Sequence, residues 1–78
     1  MKKEELIGRC EEAVKLEEDA CQIYMKHLSA VLLRSGIPEE DLKRTRETLE
    51  YLIGVNAEHK RMLERLIARI REEKRDVY

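Results

Sequence analysis

Apolar residues in the second half of the chain recur at alternating steps of three and four residues. They are Leu49, Leu52, Leu63, Leu66 and Ile70. This spacing predicts an amphipathic helix that packs against other helices. Two positions in the same row, Asn56 and His59, are polar, and a helix that buries an amide and an imidazole has to supply them with hydrogen-bond partners.

The first half of the chain carries a broader apolar arc. With Glu17 and Tyr24 at heptad position a, positions d, e and g are almost all apolar between Leu6 and Ala30. A two-stranded coiled coil needs only a narrow a/d stripe. The pattern therefore predicts a first helix over residues 3–34 that has more than one neighbouring helix.

A helix-stop and helix-start signal separates the two periodic segments. Gly36 suits a left-handed C-terminal cap, and Pro38 suits the first position of a following helix, where its missing N–H costs nothing. The sequence therefore predicts a turn at residues 35–37 and a second helix over residues 38–74.

The short connection places the two helices next to each other in opposite directions. The predicted fold class is all-α, an antiparallel two-helix hairpin that forms one domain over residues 1–78, with residues 75–78 frayed. A lone hairpin would leave half of each apolar stripe in water, and so small a core contributes little stability. We therefore expect a homodimer, in which two hairpins form a four-helix bundle, or a higher homo-oligomer.

Charge and composition exclude several classes of partner. The 78 residues include 16 basic and 17 acidic side chains spread along the chain, which favours neither nucleic acid nor an anionic membrane surface. No apolar run is long enough to cross a bilayer, and residues 1–10 lack a signal-peptide apolar core, so we expect a cytoplasmic protein. Cys10 and Cys21 lie three turns apart on one predicted helix, too far to form a disulfide with each other.

Three polar residues are predicted to meet inside the hairpin. Glu17 lies about as far before the turn as Asn56 and His59 lie after it, so equal rise per residue places them at one level. A two-fold dimer could bring two such sets together, and two carboxylates with two imidazoles suffice for one or two ions of iron, manganese or zinc. The alternative is a hydrogen-bonded cluster without metal, in which a buried asparagine sets helix register and oligomeric state.

The segments around these residues resemble the metal helices of rubrerythrin-type ferritin-like proteins. In that family an Ala precedes the ligand Glu by four residues and an aromatic residue follows it by seven, as Ala13, Glu17 and Tyr24 do here. The family's second helix carries Glu-x-x-His, which is matched by Asn56 and His59 with an amide in place of the bridging Glu.

The chain is also similar to half of the usual four-helix unit, as in the short encapsulated ferritins, which build their iron site between two chains. The resemblance implies a ferritin-like four-helix bundle with Glu17 and His59 as metal ligands and Asn56 as a weak ligand or hydrogen-bond partner. An amide oxygen is a weaker ligand than a carboxylate. The sequence therefore supports metal binding more directly than ferroxidase activity.

Overall fold

The computed structural model describes residues 1–34 and 36–78 and contains two helices, α1 (Lys3–Leu33) and α2 (Glu39–Glu72). They pack side by side as a rod of 58 × 14 × 13 Å. The predicted all-α helical hairpin is therefore confirmed. The helices are slightly shorter than predicted, because α1 ends one residue earlier and α2 spans residues 39–72 rather than 38–74.

The connection departs from the predicted chemistry at two positions. Gly36 has φ +86°, the left-handed conformation that favours glycine, but it does not cap α1, because the C-cap is Arg34, which is extended. Pro38 has extended dihedral angles and immediately precedes α2, where its carbonyl accepts a hydrogen bond from the Leu42 N–H at 3.0 Å. Pro38 therefore caps the helix instead of being its first residue. Ser35, in the predicted turn, lies outside the described residues.

The contact between the helices coincides with only part of the row expected on α2, where Leu49, Asn56, Leu63 and Ile70 face α1, and with one side of the broad arc expected on α1. On α1 the residues turned toward α2 include Ile7, Cys10, Val14, Glu17, Cys21, Tyr24 and Leu28. On α2 they include Leu49, Ile53, Asn56, Lys60, Leu63, Ile67 and Ile70. His59 and Leu66, predicted to lie on the seam, are rotated to its edge, because the broad apolar arc can touch a single neighbour with only part of its width.

The buried core lies at the end of the rod that is far from the turn. Cys10, Ile67 and Ile70 are the buried apolar residues of the described chain, and four partly buried residues pack against them: Leu6, Ile7, Val14 and Tyr78. Leu16 on α1, by contrast, is 69% exposed and Ile23 is also exposed. One hairpin therefore covers only part of the apolar surface that its sequence carries.

The C-terminal residues are ordered against the N-terminus, so the expectation of a frayed 75–78 segment is wrong. Lys2 and Val77 form an antiparallel bridge, the Lys3 N–H donates to the Asp76 carbonyl at 2.8 Å, and the Tyr78 N–H donates to the Met1 carbonyl at 2.7 Å. These backbone bonds hold Tyr78 against the core. We call this segment, residues 1–3 with 76–78, the terminal clasp.

Two further expectations can be compared with the described residues. Cys10 and Cys21 are both free thiols, as the spacing predicted. Neither α1 nor α2 contains a stretch long and apolar enough to cross a membrane.

Candidate functional site

The three polar residues singled out in the sequence meet midway along the hairpin. The Nδ2 of Asn56 donates to the Oε2 of Glu17 at 2.5 Å, and the Nδ1 of His59 lies 3.2 Å from the Oε1 of the same carboxylate. Both contacts cross from α2 to α1. Counting residues from the turn predicted that Glu17, Asn56 and His59 lie at the same height along the hairpin. That prediction is therefore correct to within one helical turn.

Asn56 donates a hydrogen bond from its amide nitrogen to the Glu17 carboxylate. A carboxylate can only accept hydrogen bonds, so the Asn56 amide turns its nitrogen to Glu17 and its oxygen away. The Oδ1 atom is buried and has no partner among the described residues. In a single hairpin Asn56 thus serves to orient the Glu17 carboxylate through its amide nitrogen.

His59 is at the edge of the seam, so the expectation that it faces the core is wrong for a single hairpin. Its side chain is 51% exposed, whereas that of Glu17 is 24% exposed. Both residues line a groove of about 640 Å³, together with the apolar Met62, Leu63 and Leu66 and the basic Arg65 and Arg69. The carboxylate and the imidazole therefore remain open to solvent, or to another molecule, on this side of the hairpin.

The hydrogen bonds favour the ionised form of Glu17. Donation from Asn56 is the largest cause of a lowered pKa of Glu17; partial loss of hydration acts in the opposite direction, and His59 lowers the pKa further. The result is a carboxylate that stays charged and oriented. That is the state in which a carboxylate can bind a cation or hold a protonated imidazole.

Charged residues on the other side of the cluster pair with each other. Lys60 reaches across to Glu18 at 2.9 Å, which raises the pKa of Lys60. Glu58 faces outward, as predicted, and its pKa is lowered by the hydrogen bond from Arg61. The Glu18–Lys60 pair was missed from the sequence, although Lys60 lies four residues after Asn56 on the contact row and could have been found by that spacing.

A single hairpin offers an incomplete set of metal ligands. Among residues 1–34 and 36–78, no three His, Cys, Asp or Glu side chains lie close enough together to hold a metal ion. Glu17 and His59 supply two, and the described orientation of Asn56 adds a hydrogen bond rather than a third. Further ligands would have to come from another copy or from water.

The chain was compared with protein-family models, with curated proteins and with solved structures, and no match was found in any of the three. The resemblance to ferritin-like proteins thus rests on the short motifs around Glu17 and His59.

Proposed function

We propose that this chain is a small ferritin-like helical module in which Glu17 and His59 bind a transition-metal ion that is shared with a second copy. One observation carries the proposal: the two residues come from different helices and lie 3.2 Å apart at the edge of the seam. The motifs around Glu17 and His59 on the two helices predicted this pairing. Carboxylate and imidazole together suit iron, manganese or zinc.

The second copy is needed because each chain supplies only half of a ligand set. Protein sites for these metals use three or four protein ligands, often completed by water. A two-fold axis near the pair would bring together two carboxylates and two imidazoles. A bound ion would link four helices and could act as a Lewis acid; Asn56 contributes by holding the Glu17 carboxylate in place, a role that outer partners of metal ligands commonly have.

The test is metal analysis of protein purified without a histidine tag. Protein equilibrated with iron(II), manganese(II) or zinc(II) should retain one or two ions per dimer and bind them in a calorimetric titration. Glu17→Gln and His59→Gln should each weaken binding by at least about tenfold, the scale seen when groups at a metal site are altered. Glu58→Gln and His27→Gln serve as matched controls, since both side chains are exposed and lie outside the cluster.

Two results would overturn this proposal. One is the absence of stoichiometric binding for all three metals. The other is equal loss of binding in the control variants, which would show that surface carboxylates and imidazoles hold the metal.

A second candidate function is a non-catalytic assembly module in which the polar cluster sets the register of the helices. It is favoured by the bond between Asn56 and Glu17, which spans the two helices and is partly buried. Under this hypothesis Asn56→Leu stabilises the fold and broadens the distribution of oligomeric states. A less stable Asn56→Leu protein with a single oligomeric state would contradict it.

A further inference from the structure

The two long faces of the hairpin differ in chemistry. One face carries ion pairs that cross between the helices, Glu18–Lys60 at 2.9 Å and Glu11–Arg71 at 3.3 Å. The other, which we call the apolar face, consists of two rows of residues. They are Ala13, Leu16, Ala20 and Ile23 on α1, and Tyr51, Val55, Met62 and Leu66 on α2.

Helix geometry places both rows on the same side of the hairpin. Around each helix axis, the residues of a row are rotated by roughly 40–140° from the residue that faces the other helix. The direction of this rotation, followed with increasing residue number, is the same on α1 and α2. Because α1 and α2 are antiparallel, the same sense on both helices corresponds to one face. The groove beside Glu17 and His59, which Met62 and Leu66 also line, lies on this face.

The apolar face exposes large side chains and few charges. Leu16, Ile23, Tyr51, Met62 and Leu66 are all exposed, with Tyr51 at 71%. The two rows contain no charged side chain; His59 and Glu17 lie beside them, and Arg65 and Arg69 also line the groove. A contiguous apolar surface of this kind marks an interaction site.

The spacing along α1 is symmetric about position 18. Leu16 lies two residues before that position and Ala20 two residues after it, while Ala13 and Ile23 lie five residues before and after. Each symmetric pair combines one large and one small side chain. A surface that is to pack against a copy of itself in the opposite direction needs this arrangement, because large residues of one copy then meet small residues of the other.

The spacing along α2 has the same symmetry. Val55 and Met62 are equally distant from the midpoint between residues 58 and 59, and so are Tyr51 and Leu66. That midpoint is at the level of position 18 on α1, because Glu18 contacts Lys60 and Glu17 contacts His59. The midpoints of the two rows therefore lie at the same height along the hairpin. The Glu17–His59 pair lies at that height as well.

We propose that the apolar face binds a second copy of this chain about a two-fold axis that is perpendicular to the helices and passes near His59. Each helix then packs antiparallel against the same helix of the other copy, and the two turns lie at opposite ends of the bundle. Leu16 of one copy meets Ala20 of the other, and Val55 meets Met62. The inference rests on the proposed function only in requiring that two copies meet. It adds which face of the hairpin is covered, where the two-fold axis lies, and how the two copies are oriented.

The apolar rows cover the middle of one side of the hairpin. They span residues 13–23 and 51–66, about 22 Å along the rod and 14 Å across it, which is about 300 Å². The whole side, 58 by 14 Å, has an area of about 800 Å², which is the share of one partner in an interface of standard size, roughly 800 Å². At the end far from the turn the face is bordered by Arg9 on α1 and Arg69 on α2, which resemble the polar rim of an interface.

The experiment uses a matched pair of methionines. Met62 lies on the apolar face and Met25 does not, yet their exposures are 54% and 53%. Met62→Glu should weaken dimerisation at least tenfold in sedimentation equilibrium, with and without zinc, while Met25→Glu leaves it unchanged. Leu16→Glu provides a second variant on the same face, and far-UV circular dichroism checks that each variant stays helical.

Cross-linking tests the orientation in a background with Cys10→Ala and Cys21→Ala. Mixing a Val55→Cys protein with a Met62→Cys protein should give a disulfide-linked dimer on mild oxidation, and neither protein should cross-link efficiently alone. Failure of the mixture to cross-link, with dimerisation intact, would overturn the proposed axis.

Two outcomes separate this inference from the metal proposal. A dimer that persists in Met62→Glu and Leu16→Glu overturns the assignment of the face but leaves the metal proposal standing. A dimer that is lost in those variants, from a protein that retains no metal, supports the face and rejects the metal proposal. A wild-type chain that stays monomeric with and without zinc overturns the inference.

Discussion

Ile67 and Leu66 are neighbours on α2 that differ in burial, with 7% and 44% of their surfaces exposed. Replacing Ile67 by alanine removes three carbon atoms from the core. At about 0.8 kcal/mol for each buried methylene this costs about 2 kcal/mol, and the cavity beside Cys10 and Ile70 raises the cost to about 3 kcal/mol. For Leu66→Ala the same three carbons are only about half buried in a single hairpin, so the loss is about 1.3 kcal/mol.

Urea unfolding followed by far-UV circular dichroism would measure both values, at low and at high protein concentration. At low concentration Ile67→Ala should cost about twice as much as Leu66→Ala. If the apolar face is covered by a second copy, the cost of Leu66→Ala should rise with concentration, because dimerisation stabilises the folded state by mass action. The core assignment is wrong if Ile67→Ala costs no more than an ordinary surface substitution, about 0.5 kcal/mol.

Three further predictions concern the turn, the terminal clasp and the polar cluster. Gly36→Ala should lower the free energy of unfolding by about 1 kcal/mol, because alanine is strained at positive φ; thermal denaturation measures it. Tyr78→Ala should cost about 1–2 kcal/mol, since its ring is half-buried against the core, whereas Tyr51→Ala in monomeric protein should cost little. Because the pKa of Glu17 is held below its ordinary value of 4.5, its charged form stabilises the fold above that pH, and the effect is lost as pH falls through the lower folded-state pKa. Glu17→Gln should therefore flatten the dependence of stability on pH below about pH 5, and Glu12→Gln should not.

The hairpin itself could be predicted because its signals are local. Apolar periodicity defines both helices, and Gly36 with Pro38 marks the break between them. The meeting of Glu17 with Asn56 and His59 could also be predicted, because it follows from equal rise per residue on either side of the turn. These inferences need only the periodicity of each helix and the position of the turn.

The rotation of the helices about their axes could not be predicted in the same way. The apolar arc of α1 is wide enough that a row through Leu16 and Ile23 is as apolar as the row through Val14 and Cys21. Which row contacts α2 depends on the fit of both helices together, and this fit moved His59 from the seam to its edge. Local periodicity carries no information on that choice when the arc is broad.

The terminal clasp was missed for a related reason. Residues 76–78 contain neither an alternating pattern nor a turn signal, and their order depends on backbone bonds to Met1 and Lys3 at the opposite end of the sequence. Contacts between residues so far apart in the sequence cannot be inferred from the pattern of neighbouring residues. The one cue was Tyr78, an aromatic residue at the end of a charged stretch.

The position of the core far from the turn has a consequence for the order in which the chain folds. A helical hairpin usually gains its first contacts beside the turn, where little chain has to be closed into a loop. Here the buried contacts join Cys10 to Ile67 and Ile70, and a loop of nearly sixty residues costs about 2 kcal/mol more to close than one of seven or eight. We therefore expect slower folding than is typical for helical proteins of this size. In hydrogen exchange, the amides next to the turn should exchange fastest and those around Ile67 last.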